Sequence, residues 1–393
     1  MAEKIIHSFE AGRRGKPDEL DTSIANLISA HLLKTNPNAR FDLRTTGTFK
    51  NDNPYVRVSG EISDFLLKQN LEAELSKIIL NRYNWVNLTN VKPEDFQVEF
   101  NLKPQSYDLA SNEGVGDSGI PIAVAYRNTP NRLPWERHLA VEIRDILDYA
   151  LHNSGKLPEQ ITKLSKIKQL NGLSADGKIS VEALYEGAKL DSLTKITIAA
   201  EQKETLSVEE LRDKTHKIIS SYLTHLEHKY NLSFGKPIID INGIGAWIGG
   251  GWEVDDGSRE AKPYRDGFSS YGVQEDSFSG EDPTKPSSTG TYIARHIAVQ
   301  VVGNNLADFA RVALSYTIGK EEVGLNITTN NTGRISQTHL EENIKLNLSL
   351  KVNDAIPRFD LKNHELYEQI VKDSDYFHNS TLPWNAVRPL EIK

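Results

Sequence analysis

Three stretches concentrate the residue types that do chemistry. Residues 11–18 (A-G-R-R-G-K-P-D), 101–119 and 243–285 are rich in glycine and charge, as expected of connections that carry function on a rigid frame. In the last, Gly243, Gly245, Gly249, Gly250 and Gly251 follow a strand-like run, which invites a dinucleotide-binding reading. The spacing argues against it. Ile248 stands where the third glycine belongs, and residues 252–265 carry no apolar stripe that would present a helix N-terminus to phosphates. No Walker A pattern occurs. Gly116-Asp117-Ser118-Gly119 has the form of a serine-nucleophile turn, but that chemistry belongs to β-barrels in an exported, disulfide-rich setting, so a tight loop with Asp117 in another role is expected. His225 and His228 are spaced i,i+3 on a helix; with no third ligand in sight they read as surface. Glu61 shares a strand face with Arg57 and Ser59, opposite Val56, Val58 and Ile62. Its carboxylate therefore points away from the core, either to solvent or into a cavity where it would hold a substrate ammonium.

These residues need a frame, and hydrophobic periodicity supplies one. Leu20, Ile24, Leu27, Ile28 and Leu32 predict a helix ending near Asn36-Pro37, followed by strands over 40–47 and 54–63. A helix over 65–83 and a period-two strand over 96–102 complete the unit. The order then recurs: a helix over 135–152, strands over 179–185 and 193–200, a helix opened at the Ser207…Glu210 capping box and running to Tyr230, and a strand over 237–242. A third round has a helix over 288–302, strands over 312–318 and 323–328, and a helix over 337–350. Paired strands between helices predict an α+β fold of three similar helix-strand-strand-helix-strand units with mixed sheets. The divisions fall at residues 1–113, 114–235 and 236–393, around one common core.

The composition narrows the partners. With 46 Lys and Arg against 54 Asp and Glu, the net charge of −8 argues against a duplex nucleic-acid binder. The chain has no Cys, which removes thiolate catalysis, disulfides and Cys-ligated metals, and agrees with a reducing, cytoplasmic setting. Neither a leader core nor a run of about 18 apolar residues is present, so a soluble protein without membrane contact is expected.

Phe278-Ser-Gly-Glu-Asp-Pro-Thr-Lys285, Tyr292-Ile-Ala-Arg-His-Ile-Ala298 and Val312-Ala-Leu-Ser-Tyr-Thr-Ile-Gly319 together resemble the methionine adenosyltransferase (S-adenosylmethionine synthetase) family. The resemblance runs nearly end to end. Gly15-Lys-Pro-Asp18 is similar to the family's G-H-P-D, Val58-Ser-Gly-Glu-Ile62 to A-G-E-I, and Pro104-Gln-Ser-Tyr-Asp108 to the Q-S-P-D loop. Gly114-Val-Gly-Asp-Ser-Gly119 is similar to G-A-G-D-Q-G, Ala175-Asp-Gly-Lys178 to P-D-(A/G)-K, and Leu382-Pro-Trp384 to F-P-W. The resemblance implies three α+β units about a pseudo-threefold axis, and S-adenosylmethionine made from ATP and methionine with release of phosphate and diphosphate. By motif position, Glu61 would hold the methionine ammonium, Gln105 and Lys285 its carboxylate, and Asp117 and Asp255 would lie near the amino acid and ribose. Trp247 stands where the family has a Phe against adenine, and Asp176 and Lys178 belong to the ATP contacts. Lys16, Lys178, Lys262 and Lys285 would be the catalytic cations, Asp18 the Mg²⁺ ligand, and residues 103–116 a lid. The resemblance also implies a homodimer or dimer of dimers with shared sites.

The departures cluster on the phosphate side. Lys16 replaces the family's His and Glu19 its Lys; Glu281 replaces a Lys, Ser287 the Asp that binds a second Mg²⁺, and Ala261 an Arg. The family's K⁺-binding Glu has no clear counterpart in residues 42–47. Arg13, Arg14, Arg259 and Arg265 are the cations available to compensate. Three functions follow: a synthetase with a rebuilt triphosphate pocket, a paralogue using a different nucleophile or nucleotide, and a non-catalytic homologue that regulates a synthetase.

Overall fold

A computed structural model of the chain describes residues 4–69, 71–105, 115–152, 170–258, 263–273 and 278–392. Its strands in chain order are β1 (Lys4–Gly12), β2 (Phe41–Lys50), β3 (Asn53–Ile62), β4 (Gln97–Pro104), β5 (Ile122–Tyr126), β6 (Leu173–Glu186), β7 (Lys189–Gln202), β8 (Ile238–Ile241), β9 (Phe309–Ser315) and β10 (Gly324–Thr328). The longer helices are α1 (Pro17–Thr35), α2 (Glu72–Asn87), α3 (Trp135–His152), α4 (Val208–Tyr230), α5 (Pro286–Gly303), α6 (Gln337–Asn347), α7 (Val352–Arg358) and α8 (His364–Asp373).

Local chemistry explains most of these elements. Asn51 and Asp52 both take positive φ (53° and 63°) between Lys50 and Asn53, which are paired; two left-handed residues of this type close a tight hairpin whose twist matches its strands. The Ser207 hydroxyl accepts a hydrogen bond from the Glu210 N–H, so the capping box opens α4 as its spacing predicts. The helix expected over 65–83 is broken into a single turn, Asp64–Leu67, and α2. Leu66 and Leu71 are both buried, yet in one straight helix they would face about 140° apart; the break lets both point inward.

Among the described residues the strands form three sheets, in the orders β1-β6-β7-β8, β10-β9-β5 and β2-β3-β4. The expected mixed character is present: β3–β4 and β7–β8 are parallel pairs, the others antiparallel. Sheet membership crosses the chain divisions, because β1 joins the sheet of residues 173–241 and β5 joins that of 309–328. Neither strand is marked by the periodicity; β5 is a short run buried throughout, without alternation. The apolar interior forms two clusters, one between α1, α2 and the β2-β3-β4 sheet, the other around α3, α4, α5 and the remaining sheets. Residues 375–390 close over α5: Trp384 is fully buried, stacks on Tyr292 at 3.8 Å and donates from Nε1 to the Tyr376 carbonyl at 2.8 Å. No helix among the described residues is long and apolar enough to cross a membrane.

The same closure buries His296, whose Nδ1 lies 3.3 Å from the Trp384 carbonyl. Burial pushes its imidazole down to about 4. The folded value lies below the unfolded one, so its contribution to stability is fully present above the unfolded pKa. It is lost as pH falls from 6.5 toward 4, at ~1.4 kcal/mol per pH unit. Urea unfolding of the wild type and of His296→Gln at pH 7.5, 6 and 5 checks this, the expected result being a stability gap that narrows by ~1 kcal/mol between the two lower values. A gap independent of pH would remove the assignment.

Candidate active site

Two clusters of predicted residues are assembled at opposite parts of β2. The first is built by zipping residues 278–285 onto the start of that strand. Leu43 N–H donates to the Gly280 carbonyl at 2.7 Å, Asp282 N–H to Phe41 O at 2.9 Å, and Asp42 and Glu281 form an isolated antiparallel bridge. Lys285, held as the residue that precedes Pro286 at the start of α5, thereby projects Nζ to 3.4 Å from Asp42 Oδ2 and 3.5 Å from Asp117 Oδ2. Asp42 is directly across from Glu61 in the β2–β3 register, and Glu61 across from Lys103 in β3–β4. Gln105 continues this edge, its N–H donating to Ile62 O at 3.0 Å, while its side-chain oxygen is buried with no hydrogen-bond partner among the described residues. Gly116 N–H donates to Thr284 O at 3.1 Å and brings Asp117 to Lys285.

The result is a patch with both signs of charge, which suits a zwitterion. Burial works against the Lys285 charge, but the Asp42, Glu281, Asp117 and Asp282 carboxylates outweigh it and hold the amine above its usual range. Lys285 is thus a firm cation whose contacts with Asp42 and Asp117 are long for hydrogen bonds. Beside the patch, a cavity of about 1280 Å³ opens between Gln105, Arg40, Thr284 and the 353–362 stretch.

The second cluster gathers at the Gly47 part of β2, ~17 Å along the strand from Asp42 at the usual rise, where Gly257 N–H donates to Gly47 O at 2.9 Å. Here the turn after β1 docks on β6: Arg13 N–H donates to Gly177 O and Gly15 N–H to Ala175 O. A Cβ on Gly15 would sit 2.3 Å from Ala175 Cβ, so this approach requires glycine. The 243–258 loop covers the same spot. Asp176 accepts hydrogen bonds from Gly251 N–H (2.8 Å) and Gly177 N–H (2.6 Å), and a Cβ on Gly250 would strike Asp176 at 2.9 Å. Burial raises the Asp176 carboxyl, which these two N–H groups partly oppose. Trp247 lies on this loop, half-buried, with Nε1 donating to Gly249 O and its carbonyl accepting from Gln202 N–H. Asp255 is exposed, and Lys178 is half exposed and paired with Glu10 at 3.1 Å.

Three of the cations named as compensation, Arg13, Arg14 and Arg265, are engaged by carboxylates of this chain. Arg13, fully buried, donates to Asp148 at 2.9 Å and to the carbonyls of Ser174 and Asp176; Arg14 meets the other Asp148 oxygen at 2.8 Å. Both brace the turn instead of facing a ligand. Arg265 pairs with Glu19 at 2.7 Å and lies 3.7 Å from Asp18, while Lys16 Nζ lies 2.8 Å from Asp18 Oδ2. Lys16, Glu19 and Glu281 therefore each have a local counter-charge, and the Ser287 hydroxyl donates to Glu281. Asp18 is a poor fit to a resident Mg²⁺, because its Oδ2 already faces the Lys16 ammonium and the Arg265 guanidinium. Its neighbours do not supply the missing charge: burial raises Glu19, raises Asp21 strongly, and raises Asp266 to about 7. Lys262, Ala261, Arg259 and most of the expected lid, residues 106–114, lie outside the described residues.

Asp42 and Glu201, whose side chain accepts from the Asp176 N–H at 3.1 Å, are members of these clusters that sequence reasoning missed. For Asp42 the signal was available, since the Asn51-Asp52 turn fixes its pairing with Glu61.

The chain is similar to known proteins. Residues 249–386 match the S-adenosylmethionine synthetase C-terminal domain. An S-adenosylmethionine synthase from Aquifex aeolicus (strain VF5) is 26% identical over 398 residues, covering 98% of this chain and 97% of that protein.

Proposed function

We propose that this chain, a divergent member of the S-adenosylmethionine synthetase family, joins L-methionine to the adenosyl group of ATP. The methionine sulfur attacks C5′, the C5′–O bond breaks, and the tripolyphosphate leaves with that electron pair before hydrolysis to phosphate and diphosphate. No general base is needed. The protein has to align sulfur with carbon, exclude water and meet the departing negative charge. In this reading Glu61 holds the ammonium, Gln105 and Lys285 hold the carboxylate, Trp247 packs on adenine, Asp117 and Asp255 lie near the amino acid and ribose, and Asp176 and Lys178 belong to the ATP contacts. Lys16, Lys178, Lys262 and Lys285 face the phosphates. We also read the three sheets as related by a pseudo-threefold axis, and the assembly as a homodimer, for which the exposed Ile238, Ile244, Ile248 and Val254 offer apolar surface.

The observation that carries the proposal is the convergence of Glu61, Gln105, Asp117 and Lys285 from four separate segments onto the edge formed by β2, β3 and residues 278–285. The pairing of Lys16 with Asp18 and Arg265 with Glu19 favours a second reading, a homologue that binds these ligands without turnover and acts on a synthetase through mixed dimers. Incubation with ATP, methionine and Mg²⁺ separates the two. The expected result is S-adenosylmethionine with phosphate and diphosphate, read by mass spectrometry. Calorimetric binding of ATP and methionine with no product at high enzyme concentration would establish the second reading in place of the first.

A further inference from the structure

Away from both clusters, three metal-ligating side chains meet between α3 and the C-terminal segment. His138 and Glu142 are one helical turn apart on α3, so they share a face. His378 arrives from the loop after α8, where the Asp375 carboxylate accepts the N–H groups of Phe377 and His378 at 2.7 and 2.6 Å and Asn131 donates to the His378 carbonyl. That loop is therefore fixed before its imidazole is considered. Its Nε2 lies 2.9 Å from Glu142 Oε1, and its ring stacks on His138 with centroids 5.0 Å apart.

We propose that His138, Glu142 and His378 form a binding site for a Zn²⁺-class divalent ion that clamps the C-terminal segment onto α3. One ligand atom from each residue lies within 4.8 Å of the others. The ~2.0–2.2 Å bond lengths of such an ion require these atoms to draw closer together as the carboxylate and rings turn. The Nδ1 atoms of both imidazoles are buried and have no hydrogen-bond partner among the described residues, an unusual state for buried polar atoms and one that an ion would relieve at whichever ring bound it through Nδ1. Two imidazoles and one carboxylate suit Zn²⁺, Co²⁺ or Ni²⁺ and disfavour Mg²⁺, which prefers an all-oxygen shell. The Tyr222 hydroxyl, from α4, donates to the second Glu142 oxygen and so orients the carboxylate from outside, as outer partners of metal ligands do. Protonation agrees with this geometry. Burial holds His138 down at about 3, so it is a neutral donor. Burial works against the Glu142 charge, but its hydrogen bonds to His378 and Tyr222 outweigh it and hold the carboxyl at about 2. His378 is raised by the same carboxylate, and binding would release its proton. None of the three belongs to the proposed synthetase site, so the inference stands or falls without it.

Full-length protein stripped with a chelator tests the site, using ZnCl₂ by calorimetry and thermal unfolding and CoCl₂ by visible absorption. One equivalent of Zn²⁺ is expected, with an upward shift of at least about 2 °C in the unfolding midpoint at saturation and ligand-field bands from bound Co²⁺. His378→Gln and Glu142→Gln should each weaken binding by on the order of 100-fold, the upper end of what loss of an outer partner costs. The double variant H216Q/H228Q, which removes exposed imidazoles of α4, should bind as the wild type does. Absence of stoichiometric Zn²⁺ binding by the wild type would overturn the proposal, as would binding undiminished in His378→Gln and Glu142→Gln or abolished in H216Q/H228Q. The wild-type measurement decides even if a variant fails to fold.

Discussion

Replacing Lys285 by Met lowers S-adenosylmethionine formation by ~10²–10³ in kcat/KM, the scale on which a single well-placed charge donor acts in a dry site. The side chain is kept cationic by four carboxylates, yet its ammonium sits 3.4 and 3.5 Å from two of them, so ligand oxygens can compete for it without breaking a tight pair. Because Asp42 is about one-third exposed and Asp117 more than half, the fold loses little when the amine goes. Lys285→Arg does not rescue, since a planar fork presents its donors differently from a compact ammonium. Steady-state product formation beside calorimetric methionine binding checks this. A Met variant that keeps more than a tenth of the wild-type rate removes Lys285 from the machinery.

Asp148→Ala destabilises the chain by ~3–5 kcal/mol, the cost of leaving a buried charge without its partner. Arg13 is fully buried and Asp148 nearly so, and a second arginine, Arg14, shares the same carboxylate. Burial works against the Asp148 charge, but Arg13, Arg14 and Arg144 outweigh it and hold the carboxyl below its usual range. Without Asp148 two guanidiniums repel each other beneath the turn that docks on Ala175 and Gly177. An exposed pair such as Lys4–Asp191, at 53% and 37% exposure, is worth ~0–1 kcal/mol by contrast. Urea denaturation of Asp148→Ala and Asp191→Ala therefore gives midpoints far apart. A loss below ~1 kcal/mol in the first would show that water reaches Arg13.

Much of the frame was legible because local rules decided it. The extent of α3 follows from its apolar stripe, the β2–β3 register from its two-residue turn, and the start of α4 from its cap. Elements set by distant partners were not. The alternation of β1 is too weak to identify it until it pairs with β6, and the turn at 64–67 exists because Leu66 and Leu71 must both reach the interior. The site divides the same way. Glu61, Gln105, Asp117 and Lys285 were found by motif, and the structure brings them to one edge. Arg13, Arg14 and Arg265 looked available for phosphate because a sequence does not show which carboxylate a guanidinium has already met. The His138, Glu142 and His378 cluster was half visible, as a His and Glu one turn apart, but its third member comes from the other end of the chain.

Because β1 pairs with β6 alone among the described residues, a strand made early waits until Leu173–Glu186 has also been made. At ~5–20 residues per second that interval is on the order of ten seconds or more, during which Phe9 and Ala11 have no cover. Chaperone occupancy of this nascent segment until residues 173–186 emerge is the natural outcome of pairing an early-made strand with one made so much later.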